Sequence, residues 1–205
     1  MALTLAAVAL GVVAGLAAGG RPRDAGLRPV RALGALGAGI LLQLAAGLGE
    51  VDGTPALTLL LTSYVLLAAF AVVNLRLVGM PVVLLGLGLN AAVIAANGAM
   101  PVRASAVLAA DVVPAAELET ADLGAKHRLE RPGDRLTLLG DIIPVPPARE
   151  VVSFGDLILA VGLVDVVFRL LRPVAPKRRD DAEALDADVV VFPPATVRPG
   201  LRRSA

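Results

Sequence analysis

Two aspartates, Asp141 and Asp156, are the residues best suited to do chemistry in this chain, because two carboxylates held close together share one proton and can activate water. Asp156 has a second reading. Ser153 precedes it by three residues, the spacing of a helix-capping box with Ser153 as the cap. Asn90 and Asn97 form another candidate polar set: with Gly86 and Val93 they recur at intervals of four, three and four, which places them on one helix face. Amides inside a bilayer are expensive and serve well as bonds between helices, with Gln43 as a candidate partner. Asp165 and Arg169, four apart, read as a structural ion pair. Asp165 lies nine residues from Asp156, on the opposite side of the same helix. His127, flanked by Lys126 and Arg128, reads as a solvated loop residue, with pH sensing as the sharper alternative. The chain has no Cys, one His, one Tyr and no Trp, so disulfides and thiolate metal sites are excluded and little is left for imidazole metal clusters or stacked nucleic-acid platforms. No metal, cofactor or nucleic acid is expected.

These side chains need elements to hold them, and composition says of what kind. Of 205 residues, 57% are hydrophobic and 18% charged, with a mean hydropathy of +0.78. Soluble domains carry about 25% charged residues; this chain belongs in a bilayer. Apolar runs at about 3–20, 33–49, 56–74, 79–97 and 151–172 predict five membrane-spanning helices, an all-α bundle. Basic residues cluster after the first run (Arg21, Arg23, Arg28, Arg31 against Asp24), between the third and fourth (Arg76) and after the fifth (Arg172, Lys177, Arg178, Arg179). The link with Glu50 and Asp52 has no base. Basic loops stay cytoplasmic, so the N-terminus is expected outside and the C-terminus inside a cell membrane. With no base before it, the first run reads as an uncleaved span. Gly11, Gly15 and Gly19, with Ala35 and Gly39 on the second helix, supply small faces for helix packing, and Asn90 a polar contact.

Residues 98–150 form the one long loop, placed outside and too short to hold a core alone, so it should pack on the helix ends. Within it, 103–110 predicts a short helix before Asp111. Pro132-Gly133, between 126–130 and 135–139, predicts a β-hairpin, and Ile142 to Pro147 reads as extended chain. The tail, 173–205, is expected to be disordered in the cytoplasm, with Asp188 to Phe192 a short β-prone run and Lys177 to Arg179 and Arg202-Arg203 facing anionic lipid.

Several stretches in combination are similar to one family: Asn74 to Pro81, Leu89-Asn90, Asn97-Gly98 with Met100-Pro101-Val102, Lys126-His127, Leu139 to Pro144, and Val151 to Asp156. The chain resembles the DUF5317 family over about residues 1–170. That resemblance implies an uncharacterised, multi-spanning, mainly actinobacterial membrane protein with no established activity. The bias toward Arg over Lys, 17 to 2, suits a GC-rich genome. The stretches around Asp141 and Asp156 are also distantly similar to the layout of lipoprotein signal peptidase. That family implies a membrane-embedded aspartyl hydrolase, but it has four spans and an Asn-Arg context absent here.

The expectation is a non-catalytic scaffold or accessory component that binds a membrane-protein or lipid partner at its outer face, with Asn90, Asn97, Asp141, Ser153 and Asp156 as the candidate polar site. The hydrolase using Asp141 and Asp156 is the alternative, and a small oligomeric transporter stands third. The sequence leaves oligomeric state open.

Overall fold

A computed structural model describes residues 2–23, 29–48, 53–124 and 126–172. The described residues belong to one compact unit, 1–173, and the second unit, 174–205, lies outside them. Outside them too fall the expectations on Asp24, Arg28, the Glu50–Asp52 link, the disordered tail, its β-prone run and its basic clusters.

The described residues are mostly helical. Long runs rich in Ala, Leu, Val and Gly form five long helices: α1 (Ala2–Ala17), α2 (Leu33–Leu48), α3 (Gly53–Val73), α4 (Met80–Asn97) and, after the loop, α6 (Phe154–Leu171). The turn between α3 and α4 ends at Gly79 in the left-handed region, with Pro81 in the first turn of α4, where proline's missing N–H costs nothing. Gly98, also left-handed, closes α4 by donating its N–H to Ile94 O.

Among the described residues, two of the five expected spans, α3 and α4, are long and apolar enough to cross a membrane. α1 and α2 are apolar but 16 residues long, about 24 Å at the α-helical rise. α6 carries Asp156, Asp165 and Arg169 within 18 residues.

The helices touch in the order α1, α6, α4, α3, α2. Glycine permits the close approaches. A Cβ on Gly11 would meet Val167 Cβ at 2.8 Å and Val164 O at 2.9 Å, and one on Gly15 would meet Leu171 Cβ at 2.8 Å. Positions along α1 and α6 rise together, so these two helices run parallel. Gly86 lies against Gly155 O and the Leu159 backbone, and Gly162 against Val83 and Gly79, so α4 and α6 are antiparallel. Gly39 packs on Leu67 and Ser63 of α3. Gly19 differs: its φ is +84° and a Cβ there would meet nothing within 4 Å. It turns the chain, and the close approach to Leu171 falls to Gly20. Asn74, at the end of α3, exchanges hydrogen bonds with both backbone groups of Arg31 at 2.8 Å, which ties the lead-in of α2 to the α3–α4 turn.

Residues 100–152 form a cap over one end of the helices. β1 (Met100–Val102) is wholly buried, packs on α4 and pairs in parallel with β2 (His127–Leu129). α5 (Ala104–Ala109) falls within the expected short helix. β3 (Ile143–Val145) and β4 (Glu150–Val152) make an antiparallel pair across a 3-10 turn at Pro146–Ala148.

The hairpin expected across Pro132-Gly133 does not form. The tight turn does: Asp134 N bonds Arg131 O at 3.1 Å, with Gly133 at φ +96°. A glycine of positive φ after proline makes a turn that splays its flanking strands. Arg128 then captures Asp134 through two bonds of 2.6 and 2.8 Å. The Asn97 side chain takes both backbone groups of Arg135 at 2.8 Å, the groups a facing strand would have used. Residues 137–139 wind into a 3-10 turn instead.

Candidate functional site

The cap meets the helices through a ring of buried polar groups at the start of α6. Ser153, wholly buried, caps the helix: its Oγ accepts Asp156 N at 3.0 Å, while Asp156 Oδ2 accepts Ser153 N at 3.1 Å. The sequence spacing dictates this local geometry. Asn90 joins from α4, donating to Asp156 Oδ1 at 2.7 Å and accepting from Ser153 Oγ at 3.0 Å. It comes this near because residue 155 is glycine, whose absent Cβ would fall on the Asn90 amide. Both oxygens of Asp156 are thereby engaged.

Asp141 stands beside this ring at 2% exposure. Its backbone is fixed in the cap, with N bonded to Pro101 O and O accepting from Arg103 N. In the side chain, Oδ2 lies 3.4 Å from His127 Nε2 and Oδ1 has no hydrogen-bond partner. Burial, with the nearby charge of Asp156, pushes the Asp141 carboxyl up to about 7. Burial, with Lys126 alongside, pulls His127 down to about 4, while a bond to the Leu123 backbone works the other way. Both shifts favour the neutral forms of this pair. Lys126 lies within electrostatic reach of Asp156, Asp141 and the Tyr64 phenol. Burial opposes its charge, but Tyr64, Asp156 and Asp141 outweigh that and raise its pKa.

The structure thus brings Asn90, Ser153 and Asp156 into direct contact and sets Asp141 within their electrostatic reach. Asn97 is elsewhere, bracing the cap at Arg135 and its own helix at Val93 O. Asp165 and Arg169 pair at 2.7 Å near the opposite end. There Asp165 Oδ2 lies 2.9 Å from where a Gly79 Cβ would be. That places its charge at the uncapped start of α4, where an anion is favoured. Sequence reasoning passed over Tyr64 and Lys126 as site residues. A signal was present: the single tyrosine sits mid-run in α3, and one of only two lysines sits in an arginine-rich chain. Among the described residues no three His, Cys, Asp or Glu side chains gather as a metal site. What the cluster can do is hold a proton at Asp141 near a fixed carboxylate and within electrostatic reach of a cation.

A model of a family of unknown function, DUF5317, matches residues 29–168. The chain belongs to this family. The match runs from the lead-in of α2 to within the last turn of α6, so in this DUF5317 protein α1 lies outside it, although the resemblance implied coverage from the start. No curated protein matches the chain, and no solved structure does.

Proposed function

We propose that this DUF5317 protein is a five-span component of the cell membrane whose outer cap binds a membrane-protein or lipid partner without catalysing a reaction. Large apolar side chains stand exposed on all five long helices, among them Leu5, Leu41, Val65, Leu85 and Val161, a surface suited to hydrocarbon rather than water. Only 33% of the apolar window of α3 and 39% of that of α4 is buried, unlike core helices of a soluble domain. Spans one and five of an odd-numbered bundle must run the same way, as α1 and α6 do. The ends of these helices near Gly20, Asn74 and Leu171 carry Arg21, Arg23, Arg31, Arg76 and Arg172. That end is cytoplasmic on the rule for basic loops, and the start of α1 and the cap are outside.

One observation carries the binding role over the hydrolase: Asp156 spends both oxygens on Ser153 N and Asn90, so it anchors the cap and is not poised to hold a reacting water. The test is photocrosslinking in native membranes from cap positions such as Glu119, alongside Asp141→Asn and Asp156→Asn. The binding role predicts one discrete partner at the cap and unchanged processing of membrane substrates in both variants. Loss of processing in both would overturn it in favour of the hydrolase. That second reading has its own support in the unpartnered Oδ1 of Asp141 and its carboxyl near neutrality beside Asp156.

A further inference from the structure

The seam between α3 and α4 holds two hollows, one below the other. The upper, about 770 Å³, lies at the capped ends of the helices, where Thr54, Leu57, Asn97, Asp122, His127 and Arg131 are among its walls. The lower, about 410 Å³, starts one turn further along α3 at Leu61 and passes Tyr64 to Ala68, with Gly88, Ala92 and Ala95 of α4 opposite. Its walls are apolar except for the Tyr64 hydroxyl. The trench is open at its α4 wall, because a Cβ on Gly88 would meet nothing within 4 Å.

We propose that this seam is the seat of one zwitterionic membrane phospholipid, its acyl chain in the α3–α4 trench and its headgroup in the cavity above. The inference rests on the membrane reading and gives a chemical identity to the lipid among the partners considered. Polarity changes along the seam as it does along such a molecule, polar at the mouth and apolar below. Leu61 to Ala68 advances about 10 Å along the helix, a depth that one hydrocarbon chain fills. Water has no partners on apolar walls and does not settle there, and an unfilled trench forfeits van der Waals contact along its length. The mouth carries both signs, with Arg131 suited to a phosphate and Asp122 and Glu119 to a primary ammonium. That pairing matches the headgroup of phosphatidylethanolamine.

The chain supplies its own reporter, since Tyr64 is the single tyrosine and there is no tryptophan. The full chain is reconstituted into phosphatidylcholine vesicles containing a minor fraction of phosphatidylethanolamine brominated at mid-chain. Tyr64 emission should be quenched saturably, and unbrominated phosphatidylethanolamine should reverse the quenching. Gly88→Leu, which fills the trench, should raise the half-saturating fraction about tenfold, equivalent to about 1.4 kcal/mol, with helicity by circular dichroism unchanged. Ala95→Leu repeats the test at the far end of the trench should Gly88→Leu not fold. Arg131→Glu should weaken the saturable phase as well. Quenching that follows the bulk bromine fraction and ignores these variants would mean ordinary solvation by lipid and overturn the proposal. So would a protein crosslinked from position 92 in native membranes with no quenching. Removal of the protein from the vesicles by a carbonate wash would instead bring down the membrane reading beneath it.

Discussion

Asp141 makes the cap sensitive to pH. Unfolded, its carboxyl titrates near 3.8; folded, near 7. Between these values the folded state keeps a proton that the unfolded state releases, so this contribution is full below 3.8 and is lost as pH rises through 7. His127, lowered from 6.5 to about 4, acts oppositely: its contribution is full above 6.5 and is lost as pH falls through 4. The two slopes offset each other between 4 and 6.5, and removing Asp141 leaves that of His127 alone. Thermal unfolding in detergent should therefore show a Tm that rises more steeply from about pH 4.5 to 6.5 in Asp141→Asn than in the wild type. Equal slopes would contradict the burial of that carboxyl. At Ser153, replacement by alanine removes the helix cap and strips Asn90 Oδ1 of its donor, a loss of about 1–2 kcal/mol by chemical unfolding. The capping box was legible because its three-residue spacing is local. The meeting of Asp141 with His127, Lys126 and Tyr64 was not, because parallel pairing of β1 with β2 creates it across many residues of chain.

The long helices could be read from apolar runs alone, since each run is longer than an ordinary strand. Their contacts could not. Gly79, just before α4, and Gly86 within it face Gly162 and Gly155 of α6, a repeat of seven visible only once the two helices are known to touch. Gly86→Ala would drive a methyl to 2.6 Å from Leu159 N and 2.7 Å from Gly155 O. It should destabilise the chain by about 1–3 kcal/mol, the usual cost of overpacking. Gly37→Ala, where a Cβ meets nothing within 4 Å, should stabilise α2 by about 0.5–1 kcal/mol. Paired unfolding titrations of the two variants in detergent check both signs, and equal effects would contradict the α4–α6 seam. The absent hairpin teaches the same lesson: Pro132-Gly133 correctly signalled a turn, but Asn97 had already claimed the backbone groups of Arg135 that the returning strand needed.

For the molecule as a whole, the arrangement of charge was the most legible feature and the order of helices the least. The short turns at the end away from the cap each carry arginine, and the sequence shows each turn separately. That α1 lies against α6, its partner most distant in the chain, follows from Gly11 and Gly15 meeting Val167 and Leu171. The parallel pair gives the five helices a common axis, with the cap at one end and the arginine-bearing short turns at the other. The cap's exposure on the outer face is the central claim, and a chain without cysteine suits a direct test. Single cysteines at Asp122 in the cap and at Arg76 in the α3–α4 turn are treated in intact cells with a membrane-impermeant maleimide. The account predicts labelling at 122 and none at 76 until the membrane is opened. Labelling at 76 with protection at 122, or at both sites alike, would contradict it.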